Sequence, residues 1–253
     1  MGKGTEGILL VGGVHGNESI TSTVLLRFCE ELSAALSDPT YICKDELLSL
    51  LKRRKIYFVP CLNPDGCEIS QKGETAAGIY EKNVKKLAYE GFSKWTANAR
   101  GVDINHNFSA GWEELKEVER MHGIFGPRHR RFGGFSPVSE PETKGIVNFC
   151  KNNYISRAYA FHSQGEVVYW DYNNIKVRDA ERIAKLLAES SGYKLDYPTG
   201  LAVGGGFKDW FITEFQKPAF TVEVGKGQNP LPAAKGDEIY NKIKKMLMTA
   251  ISV

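Results

Sequence analysis

No segment of the 253-residue chain strings together the ~20 apolar residues that a membrane-crossing helix needs. The apolar run Gly7–Val14 is too short for a signal peptide, and Glu6 precedes it. An excess of one charge is missing too, since 33 basic against 30 acidic residues leave a net +3. That balance gives no argument for nucleic acid. The basic clusters Lys52–Lys55 and Arg128–Arg131 are short, isolated and free of interleaved aromatics, as solvated loops and helix ends are. The five cysteines contain no CxxC or CxxxC pair, so they form neither a zinc ribbon nor a disulfide framework and read as free thiols in a reducing compartment. These absences predict a cytoplasmic protein with neither a nucleic acid nor a membrane as partner. Internal repeats, low-complexity tracts and linker-like composition breaks are lacking as well. A chain this long, 42% hydrophobic and 25% charged, reads as one domain over residues 1–253. Such a domain needs no structural metal to fold, so any metal would serve chemistry.

Strand and helix signals alternate. Ile8–Val11, Ile56–Val59, Arg157–His162, Val167–Tyr172 and Ala219–Val224 are short apolar runs of the kind buried on both sheet faces. Residues 18–36, 177–191 and 235–251 show helical periodicity, the second stopped by Gly192. This order predicts an α/β fold with an at least partly parallel sheet.

Chemistry-bearing residues sit at the ends of these runs. His15-Gly-Asn-Glu18 follows the first strand, where open α/β sheets place ligand sites. A His and a Glu three residues apart on a turn can address one ion, and nitrogen with oxygen donors suits zinc. Alone, the pair is a weak signal and reads first as a surface His with a Glu at a helix start. His162 ends another strand and alone reads as a core histidine. Taken together, His15, Glu18 and His162 make a three-donor set with an open position for water. Glu223 lies in the otherwise apolar Phe220–Val224, where a carboxylate is either ion-paired or functional, because an isolated buried charge costs several kcal/mol. A general base beside a metal requires such a placement.

Six motifs in family order make the chain resemble the zinc carboxypeptidases of family M14. They are His15-Gly-Asn-Glu18, Asn63-Pro-Asp-Gly66, Gly101-Val-Asp-Ile-Asn105, Ser139-Glu-Pro-Glu142, His162-Ser163 and Gly205-Gly-Phe-Lys-Asp-Trp210, with Glu223 thirteen residues after Trp210. The resemblance implies a single domain with a mixed eight-stranded sheet and helices on both faces. It implies one zinc held by His15, Glu18 and His162, and Glu223 as general base and later proton donor to the leaving amine. The strings His162–Trp170 and Asn105–Trp112 resemble the bacterial γ-D-glutamyl-meso-diaminopimelate peptidases of this family. The implied substrates are peptidoglycan stem peptides or soluble muropeptides, since no wall-binding repeat occurs in the chain.

Departures from the family pattern bear on specificity. Asn105-His106 stands where an Asn-Arg pair clamps the substrate carboxylate, and an imidazole cannot reproduce a guanidinium fork. Thr96 aligns with the oxyanion-assisting Arg, leaving Lys94 or Arg100 as substitutes. The family's mobile Tyr falls at Leu201, with Tyr197 nearby. Lys208 precedes Asp-Trp, a position at the floor of the leaving-residue pocket. There it either reads a carboxylate of the leaving residue, as in meso-diaminopimelate, or points to solvent. Glu166 is the candidate partner for the distal ammonium. Competing expectations are a carboxypeptidase releasing acidic C-terminal residues, an N-acyl amino acid deacylase and a zinc-free binding module.

Overall fold

Four parallel strands form one side of the sheet, with Arg54–Val59 at its edge. They are β1 (Glu6–Val11), β2 (Arg54–Val59), β3 (Ile155–His162) and β6 (Ala219–Glu223), joined at one edge by β4 (Val167–Tyr169) and β5 (Lys194–Leu195). The spatial order is β2-β1-β3-β6-β4-β5, with β4 antiparallel to β6 and every other pairing parallel. The computed structural model describes residues 1–38 and 44–253; Cys43 lies outside them. Among the described residues the sheet has six strands, not the eight that the resemblance implied. The run expected to continue to Tyr172 leaves the sheet after Tyr169, and beyond it the edge carries only the two-residue β5.

Ile8–Val11 of β1 and Ala158–Phe161 of β3 are apolar and buried because both faces of the sheet are covered there. Side chains alternate across a strand, so Ile8 and Leu10 face one core and Leu9 and Val11 the other. The first core is completed by α1 (Ile20–Ser37), α2 (Lys44–Arg53), α7 (Ala180–Ser191) and α9 (Gly236–Ser252). The second is completed by α6 (Pro141–Asn152) and α8 (Phe207–Phe215), with Ile104, Phe108 and Ala110 from the segment before them. Helix α7 ends at Gly192, whose φ of 74° is the left-handed cap that glycine takes without strain.

Between β2 and α6 the chain forms α3 (Pro64–Lys72), α4 (Glu81–Leu87), α5 (Trp112–Met121) and several short 3-10 segments. The Asn63–Gly66 motif does more than turn the chain. Asn63 caps α3 by accepting from the Gly66 amide, and its own amide donates to the carbonyls of Val14, Thr96 and Ala97. That one side chain ties the loop after β1 to the segment before Gly101. The packing is close: a Cβ on Gly16 would lie 2.4 Å from the Gly66 carbonyl oxygen, so only glycine fits there. Cys29, Cys61, Cys67 and Cys150 are free thiols, and none of the described helices is long and apolar enough to cross a membrane.

Candidate active site

Three neighbouring parallel strands deliver the site at their carboxyl ends. His15 and Glu18 lie on the loop and 3-10 turn after β1, while His162 and Glu223 are the last residues of β3 and β6 and are paired in register. Their side chains converge. His15 Nδ1 is 3.0 Å from Glu18 Oε1, His162 Nδ1 is 3.1 Å from Glu18 Oε2, and the two imidazole Nδ1 atoms are 3.3 Å apart. Donor atoms of all three residues lie within 4.8 Å of one another. Two ring nitrogens facing each other at that distance cannot both carry hydrogen there. A shared cation gives both lone pairs a partner, and a nitrogen–oxygen–nitrogen donor set suits zinc.

Each donor is oriented from behind. Asp103, from the Gly101–Asn105 motif, places Oδ1 3.2 Å from His15 Nε2, a carboxylate behind a histidine donor. Glu18 accepts from the Ser163 backbone N–H at 3.1 Å and the Asn229 amide at 3.2 Å. Asp103 itself accepts from Thr96 Oγ1 and from the amides of Asn105 and Arg131.

The ionisation states follow from this packing. Burial opposes charge on His15, but the Glu18 and Asp103 carboxylates outweigh it and hold its pKa well above 6.5. Burial likewise opposes charge on Glu18, yet His15 draws it down to about 2. Asp103 is held well below the carboxylate range by the His15 and His106 charges, again against burial. Glu223 goes the other way. Burial, then repulsion from Glu18, pushes it up to about 8. Two carboxylates with pKa values driven apart are the arrangement that separates an ion-holding group from a proton-transferring one.

These residues open onto a cavity of about 710 Å³. Asn105, His106, Lys94, Thr96, Leu201 and Lys208 are among the residues that line it. Asn105 Oδ1 accepts from the Phe207 amide, and His106 Nδ1 lies 3.3 Å from Glu119 and 3.2 Å from the Arg131 carbonyl. Three sequence expectations need correction. Arg100 is not part of the cavity lining; it sits half exposed and paired with Glu140 at 3.4 Å. Glu166 is also outside the lining, its carboxylate held by Lys226 and Lys242. Lys208 reaches the wall, but its ammonium is buried against Asp209 and donates to the Asp171 carbonyl at 2.5 Å, so it offers no free charge. Tyr197 is exposed and packs on Trp170, while Tyr169 lines the cavity with its phenol raised by burial and by Glu223. Asp103, Asn229, Tyr169 and Arg131 were not singled out by sequence reasoning as site residues, although Asp103 lay inside the Gly101–Asn105 motif and Tyr169 inside the His162–Trp170 string.

Donors at strand ends, a base candidate beside them and an open cavity define a metallohydrolase site. The chain belongs to the zinc carboxypeptidase family, peptidase M14, whose model matches residues 2–248. Family members use one zinc, and the His15–Glu18–His162 cluster suits it. Gamma-D-glutamyl-L-diamino acid endopeptidase 1 of Lysinibacillus sphaericus is 32% identical over 247 residues, 96% of this chain and 60% of that protein. An uncharacterized Bacillus subtilis protein, YqgT, is 33% identical over 239 residues, 94% of this chain and 62% of its own length. The chain thus spans about six tenths of these curated relatives. The crystal structure of thrombin-activatable fibrinolysis inhibitor superposes with a TM-score of 0.73 at 19% identity, covering 100% of this chain and 63% of that one, which establishes the shared fold.

Proposed function

We propose that the protein is a zinc peptidase that cleaves the amide between the γ-carboxyl of D-glutamate and meso-diaminopimelate in peptidoglycan stem peptides. The convergence of His15, Glu18, His162 and Glu223 on one cavity carries the hydrolytic part of this reading. Similarity to an endopeptidase named for γ-D-glutamyl-diamino acid bonds supports the substrate class. His15, Glu18 and His162 are the residues that would hold zinc. When bound there, zinc supplies a Lewis acid that polarises the scissile carbonyl.

The protein's own groups divide the remaining work. Asp103 fixes the His15 ring through Nε2, and Ser163 with Asn229 fix the Glu18 carboxylate. Glu223, half-buried at the cavity wall beside the donors, takes the proton of the attacking water on its carboxylate and returns it to the leaving amine. Without an ion, burial and Glu18 keep that carboxyl protonated near neutral pH. A dication among the donors favours the ionised form that a base requires.

The test is incubation with L-Ala-γ-D-Glu-meso-diaminopimelate, with and without a chelator, followed by mass analysis. The expected products are L-Ala-D-Glu and free diaminopimelate, lost on chelation and regained on zinc addition. Absence of cleavage, or cleavage that ignores the chelator, overturns the reading.

A further inference from the structure

The cavity wall carries cations from several segments, and most are already engaged. Lys208 is held by Asp209 and the Asp171 carbonyl, Arg130 lies 3.7 Å from Glu90, and His106 Nδ1 faces Glu119. Among the described residues, the charged groups of Lys94 and Arg131 make no hydrogen bond or ion pair. With Glu223 set aside, the carboxylates at this end of the cavity have partners too. Glu18 and Asp103 are taken up by the histidines and by backbone N–H groups, and Asp209 by Lys208. An anion from outside the protein would therefore meet two cationic groups without a direct internal partner; Asp103 and Glu90 face Arg131 only at longer range, and Arg130 and Arg128 add positive charge beside it.

Two observations separate Arg131 from Lys94. The first is anchoring. The Arg131 N–H donates to Asp103 Oδ2 at 3.1 Å, and its carbonyl is 3.2 Å from His106 Nδ1. Because Asp103 Oδ1 touches His15 Nε2, the Arg131 backbone is pinned one carboxylate away from a metal-donor candidate. Its φ of 65° is left-handed, a conformation that a non-glycine residue keeps only when its surroundings impose it. A fixed backbone thus presents a side chain whose head group is free. The second is chemistry. A guanidinium can engage both oxygens of a carboxylate at once, whereas an ammonium acts as a point charge.

We infer that Arg131 binds a free carboxylate of the residue that the enzyme releases, the task for which the buried Lys208 ammonium is not available. This inference rests on the peptidase reading given above.

The experiment compares the stem peptide with two versions in which one or other carboxylate of its diaminopimelate is converted to the amide. Wild type, Arg131→Asn, Arg131→Lys and Lys94→Ala are measured with zinc present. Asparagine is chosen because it adopts the left-handed backbone more readily than alanine, so loss of charge is separated from loss of fold. Wild type should prefer the free acid over one of the amides by about 10- to 100-fold in kcat/KM, the size of one charged hydrogen-bonded pair. Arg131→Asn should collapse that ratio toward one through KM of the free acid, and Arg131→Lys should restore part of it. Indifference of wild type to both amidations, survival of the ratio in Arg131→Asn, or its loss in Lys94→Ala alone overturns the assignment. If wild type cleaves none of the three peptides, it is the peptidase reading that fails. Calorimetric binding of meso-diaminopimelate and its amides to the same variants then decides on Arg131 separately.

Discussion

His162 and Glu223 end adjacent parallel strands and are register partners, so a metal-donor candidate and a base candidate stand side by side on one sheet edge. Their separation is set by the spacing of strands and not by a loop. Glu223 is thereby held near the donor cluster without belonging to it. Glu223→Gln keeps the shape and removes the proton acceptor. It should retain zinc in metal analysis while turnover of the stem peptide falls by roughly 10²–10⁴-fold. Loss of metal, or near-normal turnover, would falsify the role of base.

Asp103 stands behind His15 at the cavity wall, buried, held well below the carboxylate range and engaged by four donors. Asp103→Asn should weaken zinc binding by about 10- to 100-fold, as loss of a carboxylate behind a histidine donor does. Competition against a chromogenic chelator measures this. An unchanged zinc affinity would show that the aspartate only organises the surrounding loop.

Protonation gives a test that needs no substrate. In the metal-free protein His15 is held well above 6.5 and Glu223 at about 8, so both carry protons near neutral pH. A nitrogen that accepts a metal must give up its proton, and a nearby dication favours the Glu223 carboxylate. Zinc uptake at about pH 7 should therefore release between about one and two protons, and affinity should rise with pH. Calorimetry in buffers of different ionisation enthalpy reads the number. The stability sign follows from the same shifts. Both folded pKa values lie above their unfolded counterparts, so both contributions are complete at low pH and fade as pH rises through the folded values. Metal-free protein should lose melting temperature between about pH 5 and 9, and zinc should reverse the trend. Below that window Glu18, lowered to about 2, acts in the opposite sense and removes stability as acid is added. Zinc uptake without proton release would contradict the ionisation states of the site.

The parts of this molecule that could be read from sequence are those whose cause is local. The stretches Ile8–Val11 of β1 and Ala158–Phe161 of β3 are continuous apolar runs because both of their faces are covered, and burial of that kind leaves a mark in any single segment. Strand β5 is two residues long and exists only through its pairing with β4, so Lys194–Leu195 carries no pattern. The segment before β3 is organised by side chains reaching backbone. The Asn107 amide donates to Gly133 O, Ser136 O and Ser139 Oγ, while its oxygen accepts from the Glu140 N–H and the Thr143 hydroxyl. No periodicity announces such a hub. The donors His15, Glu18 and His162 stood in recognisable motifs. Asn229 comes 211 residues after the carboxylate it supports and lies in a loop with no motif of its own. Arg131 sat in a basic cluster that composition alone assigns to solvent.

Lys208 shows how a correctly placed charge can still be misread, and it yields the last prediction. The sequence displays the lysine at the cavity, but not that its partner is the next residue. Neighbours at i and i+1 on a helix normally point apart, so Asp209 was an unexpected acceptor. In the fold both side chains are buried, and Asp209 also accepts from the Gly204 amide at 2.9 Å. Lys208→Met therefore removes one half of a buried pair and leaves the other carboxylate without its counter-charge. The expected cost is about 3–5 kcal/mol in unfolding free energy, the range for breaking a buried pair from one side. The double variant Lys208→Met/Asp209→Asn should recover much of that loss, because no uncompensated charge remains. Preference for diaminopimelate over lysine as leaving residue should stay within about 3-fold of wild type in whatever fraction folds, since the ammonium was not free to read a substrate. Denaturant melts of the single and double variants, alongside kcat/KM on the two stem peptides, provide the comparison. Normal stability with a flattened preference would return Lys208 to the role of carboxylate reader and take that role from Arg131.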